Sequence, residues 1–270
     1  MKTRSIVLAV VVVALVAVST ASAIETGLPL SRYLGLGGAG LALTRDAGAV
    51  DMNPGALGGL ELNGLAKQPG DWQFQIAGTG EVSGDQDAWG IKLAGGPMNS
   101  KWGFGFSYFD ASPGLADMDG WTFGAGTEVQ KDVMLGVSVT RIEWGGDTDT
   151  IYNLGALFRG DGLDWGIVVN DITDESGFGP FFSAGASAVI APRWIGVVDV
   201  LDITDELDQT FALGVEYAAQ DNLALRLGVR EGLNFSAGVG FKADRFSIDA
   251  AWMEMDDEAN SFFITAATTF

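Results

Sequence analysis

The sequence predicts an all-β protein, a transmembrane antiparallel β-barrel of about 14 strands whose lumen holds an N-terminal plug rich in glycine and alanine. Three observations support this prediction. They are an export signal at the N-terminus, a long region in which large apolar residues alternate with small ones, and a glycine-rich stretch between the two. We divide the chain into a signal peptide at 1–23, a plug or hatch segment at 24–71 and a barrel at 72–270.

The N-terminus has the three parts of a secretory signal peptide. Lys2 and Arg4 supply positive charge, residues 6–18 form an unbroken apolar run, and Ala21-Ser22-Ala23 is a cleavage site of small residues. The apolar run is shorter than the ~20 residues that a membrane-spanning helix requires. We therefore predict cleavage after Ala23 and export of the mature chain.

The stretch at 31–60 differs in composition from everything that follows it. Its glycines and alanines leave little side-chain bulk at a close contact, and Asn53-Pro54-Gly55 is a turn signature that ends any helix begun before it. We therefore expect this stretch to form a compact plug.

From residue 72 onward the pattern repeats every second residue, which is the period of a β-strand. In one segment Trp102, Phe104, Phe106 and Tyr108 share a face opposite Gly103, Gly105 and Ser107. Fourteen such segments are predicted, at 72–81, 87–95, 100–109, 120–129, 132–142, 150–160, 163–170, 181–190, 193–201, 208–218, 222–230, 232–241, 244–254 and 260–270.

A soluble β-sandwich has the same alternation, so the period alone does not distinguish the two folds. The small face favours a barrel, because glycine, alanine, serine and threonine suit a crowded lumen while the large residues face lipid. Tryptophans near strand ends suit an interfacial belt, namely Trp72, Trp89, Trp102, Trp121, Trp165 and Trp194. The last strand ends at Phe270, which resembles the signal that engages the assembly machinery of bacterial outer-membrane barrels.

The connections between strands are expected to alternate between short periplasmic turns and longer external loops. Short turns are predicted at 96–99, 130–131, 161–162, 191–192, 219–221 and 242–243, and longer loops at 110–119, 143–149, 171–180 and 202–208. Basic residues flank the short turns and acidic residues lie in the long loops, so charge divides the connections in the same way as length. A tight turn at 231–232 is an exception to the alternation.

Composition excludes several classes of function. The chain has no cysteine, no histidine and a formal net charge of −20. It therefore cannot form disulfides, thiolate or imidazole metal sites, or a Ser-His-Asp triad. The negative charge argues against a nucleic-acid partner. We predict that the protein is not an enzyme and has no cofactor.

The N-terminal stretch resembles a signature of the FadL-like and PorV/PorQ-like outer-membrane barrels. The matching residues are Arg32, Leu34-Gly35-Leu36-Gly37-Gly38-Ala39, Ala42, Asp46-Ala47, Ala49, Asn53-Pro54 and Leu57. The resemblance implies a fourteen-stranded barrel in the bacterial outer membrane with a hatch folded into its lumen. In FadL-like members the hatch gates the passage of hydrophobic molecules, whereas PorV-like barrels serve protein secretion and surface attachment.

Two groups of residues are candidates for function. The hatch or gate candidates are Arg45, Asp46, Asn53, Pro54 and Gly55, and the ionisable candidates on the lumenal face are Lys92, Glu128, Asp164, Glu216, Arg226 and Asp249. Pairing across a turn at 219–221 would put Arg226 opposite Gly214 and diagonal to Glu216, which predicts an ion pair in the lumen. A structural role for this pair is favoured over one in transport. Arg45 and Asp46 are expected to dock onto such wall charges.

The acidic loops admit a metal site as well as a solvated surface. Asp202, Asp205, Glu206 and Asp208 offer oxygen ligands, but they lack the glycine and the spacing of an EF-hand loop, so a solvated surface is favoured. The expected partners are outer-membrane lipid and lipopolysaccharide, the barrel-assembly machinery, and a small hydrophobic ligand or a secretion-system protein. The sequence leaves open a passive channel for hydrophobic molecules, a non-conducting barrel serving secretion, and a soluble secreted β-protein.

Overall fold

The structure is a computed structural model and describes residues 27–62, 68, 70–83, 87–112, 118–174, 179–204, 209–254 and 260–270. The predicted signal peptide lies outside these residues, as do most of the acidic loop residues. No helix in the described ranges is both long enough and apolar enough to cross a membrane.

The described residues form a closed antiparallel barrel of fourteen strands, in which each strand pairs with its neighbours in sequence and β1 pairs with β14. All fourteen predicted strands are present, with ends that differ by a few residues from the predicted ones. The strands are β1 Trp72–Ser83, β2 Asp87–Pro97, β3 Trp102–Ser112, β4 Met118–Gln130, β5 Val133–Trp144, β6 Asp147–Phe158, β7 Leu163–Asn170, β8 Phe181–Ala191, β9 Trp194–Leu201, β10 Thr210–Gln220, β11 Leu223–Arg230, β12 Asn234–Ala243, β13 Phe246–Met253 and β14 Ser261–Thr269.

The two faces of each strand differ as the alternation predicts. Along β4 the small residues Thr122, Gly124 and Gly126 are buried towards the lumen, while Trp121 and Phe123 are exposed on the outer surface. The outer surface therefore carries a band of exposed apolar side chains, which suits contact with lipid.

The barrel has two different rims. The start of β1 and the end of β14 lie at one rim, which we call the terminal rim, and the opposite one is the distal rim. Short turns join the strands at the terminal rim, at 98–101, 131–132, 159–162, 192–193, 221–222 and 244–245. In outer-membrane barrels the short turns are on the periplasmic side, and the terminal rim has this character.

The long loop predicted at 143–149 is wrong. Strand β5 continues to Trp144 and β6 begins at Asp147, and only Gly145 and Gly146 connect them at the distal rim. Both glycines have positive φ, 61° and 95°, which a tight hairpin of this kind requires. The charged residues that indicated a loop lie instead on the paired ends of the two strands.

Aromatic side chains form belts at both rims, as predicted. The six tryptophans expected in the belt are each 38–49% exposed. At the terminal rim Trp72 stacks on Phe74 and meets Trp102 edge to face, with ring centroids 5.7 and 5.4 Å apart. At the distal rim Trp89 packs on Tyr108. Such rings prefer the level of the lipid headgroups.

The N-terminal stretch lies in the lumen as a plug. It contains two short helices, α1 Ser31–Leu34 and α2 Ala49–Met52, followed by a 3₁₀ helix at Pro54–Gly59. Tyr33 and Leu36 are fully buried at its centre, among alanines of the plug and of the wall. Because none of these helices is long enough to be stable alone in water, the wall must hold the plug in shape.

Candidate functional site

The candidate site is the contact between the plug and the lumen wall, and glycines make this contact close. On one side the 3₁₀ helix Pro54–Gly59 lies against Gly126, Gly136 and Gly155. A Cβ at Gly126 would lie 2.6 Å from the carbonyl oxygen of Pro54, which is too near for any real side chain. Larger residues here would force the plug and the wall apart.

The opposite side of the plug makes a similar contact. A Cβ at Gly214 of β10 would lie 2.7 Å from the carbonyl oxygen of Leu36. Gly37 has a φ of 75°, and its amide donates to Ser236 Oγ of β12 at 2.9 Å. A side chain on Gly37 would also meet the carbonyl oxygen of Val229 at 2.8 Å. The signature glycines are therefore needed for seating in the lumen.

A network of four charges links the plug to the wall. Arg226 of β11 donates to Glu216 Oε2 at 2.7 Å and to Asp249 Oδ1 at 2.6 Å. Arg32 of α1 donates to both oxygens of Glu216, at 3.1 and 3.0 Å. The expected ion pair is present and is completed by the plug.

The register around this network differs from the predicted one. Arg226 lies directly opposite Glu216, and Gly214 pairs with Gly228. The turn between β10 and β11 is at 221–222 and follows an irregularity between Ala218 and Gln220. The extra residue in β10 shifts the pairing, which brings the two charges closer than a diagonal would.

Lys92 forms a second link on the opposite wall. Its ammonium group pairs with the carboxylate of Asp51 in α2, and the two side chains are 3% and 7% exposed. Asp51 also accepts a hydrogen bond from Ser107 Oγ at 2.6 Å. A buried charge pair of this kind is costly to break by removing one partner only.

Of the two plug charges expected to dock on the wall, only Arg45 does so. Arg45 pairs with Asp164 of β7 and with Glu61 at 2.7 Å. Asp46 instead stays within the plug, where it accepts a hydrogen bond from the Tyr33 hydroxyl at 2.8 Å.

Asn53, Pro54 and Gly55 join the plug to β6 at the start of the 3₁₀ helix. The Asn53 amide donates to the carbonyl oxygens of Leu41, at 2.9 Å, and Ala156, at 3.0 Å. Its side-chain oxygen accepts the Gly55 N–H at 3.0 Å, and Pro54 occupies the first helical position. The turn signature therefore fixes the plug against the wall.

One predicted lumenal residue serves a turn instead of the plug contact, and several contact residues were not predicted. The Glu128 side chain caps the turn after β4 by accepting the Asp132 N–H at 3.0 Å. Asp199 of β9 is buried and accepts the N–H groups of Gly40 and Leu41, at 2.6 and 2.9 Å. Asp199 has the inward parity within β9, so strict alternation could have found it.

Two cavities flank the plug. The larger, of about 890 Å³, is a polar vestibule at the terminal rim, which Arg32, Arg45, Glu216 and Arg226 help to line. The smaller, of about 80 Å³, is a pocket on the distal side, lined by Pro29, Met52, Val168, Phe181, Leu201 and the Asp51–Lys92 pair, among others. The plug separates these two spaces.

The described residues contain no group of three or more side chains suited to hold a metal ion. In the acidic loop after β9, Asp202 is fully buried and accepts the Thr204 hydroxyl at 2.9 Å. Asp205, Glu206 and Asp208 lie outside the described residues.

A closed barrel with a plug in its lumen is a class of fold found in outer-membrane proteins, and comparison with solved structures agrees. No family model and no curated protein matches this sequence. The chain is similar to the CymD monoaromatic hydrocarbon channel, with a TM-score of 0.65, 12% identity and coverage of 92% of this chain and 98% of that chain. It is also similar to the Pseudomonas putida toluene transporter TodX, with a TM-score of 0.57, 13% identity and coverage of 90% and 97%.

A third similar structure is the Acinetobacter baumannii outer membrane protein Omp33, with a TM-score of 0.54, 8% identity and coverage of 75% of this chain and 100% of that chain. At these identities the comparisons show the fold. The fold is that of the FadL-type outer-membrane barrels, which confirms the fold implied by the N-terminal signature.

Proposed function

We propose that this protein is a passive channel for small hydrophobic molecules in the bacterial outer membrane, and that the plug is its gate. The observation that carries the proposal is the position of the plug between a distal pocket and a vestibule at the periplasmic rim. The names of CymD, a monoaromatic hydrocarbon channel, and TodX, a toluene transporter, support the same class of substrate.

The distal pocket has the properties of an entry site for such a molecule. Pro29 and Met52 of the plug face Val168, Phe181 and Leu201 of the wall across it. An apolar lining of this kind binds apolar ligands by removing their surface from water. The Asp51–Lys92 pair also lines the pocket and ties it to the plug.

Passage from the pocket to the vestibule requires the plug to move. Arg32 lines the vestibule and belongs to α1, which the Ser31 hydroxyl holds to Thr265 Oγ1 of β14 at 2.9 Å. Displacing α1 would break this contact and the Arg32–Glu216 pair. These are exchangeable polar contacts, so the plug can leave and return without covalent change.

Uptake by intact cells tests the proposal, because the lipopolysaccharide leaflet supplies the barrier that a simple lipid vesicle lacks. We expect cells that produce the protein to take up radiolabelled toluene faster than cells that lack it. A sugar of similar size should enter at the same rate in both. Equal toluene uptake by the two kinds of cell would contradict the proposal.

A non-conducting barrel that serves secretion is the second candidate. Hydrogen bonds to wall residues as far apart around the barrel as Gln75, Ser107, Ser187 and Ser236 favour it, because they hold the plug on all sides. This alternative predicts equal toluene uptake in the assay above, together with a specific protein partner captured by crosslinking in cells.

A further inference from the structure

The two ends of the plug lie at opposite rims of the barrel. At one end Leu28 packs against a cluster that includes Met253 and Phe263 of the wall, and against a second cluster that includes Phe109 and Ile142. In each case these residues lie in the half of their strand nearer the distal rim. The N-terminal end of the described chain is therefore at the distal mouth of the lumen.

The other end of the plug is at the terminal rim. The carbonyl oxygen of Gly59 accepts a hydrogen bond from Arg159, which follows the end of β6. Glu61 pairs with the same arginine at 3.3 Å and with Arg45 at 2.7 Å. From there the chain continues to Trp72 and enters the barrel wall at the same rim.

We propose that the plug passes through the whole barrel and that its N-terminal end forms part of the cell's outer surface. Gly27 and Pro29 line the distal pocket and are partly exposed, so they form the outward side of that pocket. If the leader is cleaved after Ala23, only residues 24–26 precede Gly27. Gly27 at the outer mouth is then within three residues of the free amino terminus, although the barrel strands begin and end on the periplasmic side.

The short distance along the chain between the leader's apolar run and Gly27 relates leader cleavage to the seating of the plug. Eight residues at most can separate the apolar run ending at Val18 from Gly27, and an extended chain spans about 3.4 Å per residue. This length is about that of the lumen alone, whose apolar band is ~25 Å tall. A chain still anchored in the inner membrane by its leader cannot reach the distal mouth. If the leader is cleaved as predicted, cleavage therefore precedes the seating of the plug.

Epitope display tests the inference, because antibodies do not cross the outer membrane. One tag is placed between Ala23 and Ile24, a second between Gly145 and Gly146 at the distal rim, and a third between Asp161 and Gly162 at the terminal rim. We expect antibody to bind the first two on intact cells and the third only after permeabilisation. Detection of the N-terminal tag only after permeabilisation would count against the inference.

Labelling of single cysteines tests the same inference if the N-terminal tag prevents the plug from entering the lumen. The chain has no cysteine, so Pro29→Cys and Glu61→Cys each introduce a single thiol at one end of the plug. Pro29 is partly exposed, whereas a side chain at Gly27 would collide with Asp51. A membrane-impermeant maleimide should label Pro29→Cys on intact cells and Glu61→Cys only after permeabilisation. Failure to label Pro29→Cys on intact cells overturns the inference.

These experiments depend on the outer-membrane placement that the proposed function shares, but not on transport. The tag between Gly145 and Gly146 reports the placement separately, since it must be visible on intact cells if the barrel spans the outer membrane as described. An external N-terminus in a protein that takes up no toluene would leave this inference standing and refute the channel.

Discussion

Arg226 is the central residue of the lumenal charges, because it holds two wall carboxylates while the plug's Arg32 shares one of them. Its side chain is only 5% exposed. In a narrow lumen an unpaired charge is costly, and here each member of the network has a partner of opposite sign. The network therefore supports both the barrel and the seated plug.

Replacing Arg226 with methionine should lower the free energy of unfolding by about 3–5 kcal/mol, because it leaves Asp249 without its cation. Urea unfolding in lipid vesicles, followed by tryptophan fluorescence, measures the change. Arg141→Met is the matched control, since Arg141 forms an exposed pair with Glu143, and its loss should cost about 0–1 kcal/mol. Equal losses in the two variants would contradict this account of the network.

Lys92→Met should loosen the plug, because Asp51 would remain buried without its ammonium partner, a cost of about 3–5 kcal/mol. We expect faster toluene uptake and readier cleavage of the plug by added protease. The double variant Asp51→Leu with Lys92→Met should recover much of the seating, since it removes both charges together. A double variant as loose as the single one would show that the pair does not hold the plug.

Sequence reasoning at the residue scale found the wall charges because alternation assigns each strand residue to a face. Alternation puts Glu216, Arg226 and Asp249 on the lumenal face, and of their contacts it predicts only the Glu216–Arg226 pair. The links from Glu216 to Arg32 and from Lys92 to Asp51 could not be predicted. No periodic pattern relates a residue in an irregular plug to a strand far along the chain. Asp199 followed the same parity rule and was overlooked.

At the scale of elements, the strands were predictable because lipid and lumen impose opposite demands on successive residues. There are two exceptions. The strands β3 and β4 extend to Ser112 and from Met118, into the loop predicted at 110–119. In the hairpin of β5 and β6, charged residues near the distal rim suggest a loop where the strands continue. Charges are tolerated there because the strands extend beyond the apolar band. The path of the plug was not predictable, since its short helices depend on the wall for their stability.

The close fit of plug and wall gives a prediction about elements. At Gly136 a Cβ would overlap the carbonyl group of Pro54, so Gly136→Ala should displace the 3₁₀ helix Pro54–Gly59 and lower the free energy of unfolding by about 1–3 kcal/mol. Gly78 faces lipid, and a Cβ added there would have no neighbouring atom nearer than 4.0 Å, so Gly78→Ala should have little effect. Urea unfolding of the two variants side by side makes the comparison, and a Gly136→Ala variant as stable as the parent would refute the fit.

For the whole molecule, the proposed function requires the plug to act as a movable partition between the distal pocket and the vestibule. The fold supports passage along the barrel, and the many plug–wall contacts support a closed resting state. The glycines and charges at the plug–wall contact hold the plug in this closed state. What distinguishes a gated channel from a permanently closed barrel is whether the plug moves.

A reversible covalent lock tests this movement most directly. Ser31→Cys with Thr265→Cys places two thiols where hydroxyls now touch at 2.9 Å, in a chain that has no other cysteine. Thr122→Cys with Thr140→Cys, also 2.9 Å apart, is the matched control because it joins two wall strands and leaves the plug free. If the plug is the gate, cells with the oxidised plug lock should take up toluene no faster than cells that lack the protein. Reduction of the disulfide should restore their uptake. Cells with the wall pair should take up toluene at the parental rate, oxidised or reduced. Parental uptake by cells with the oxidised plug lock would show that the plug is not the gate.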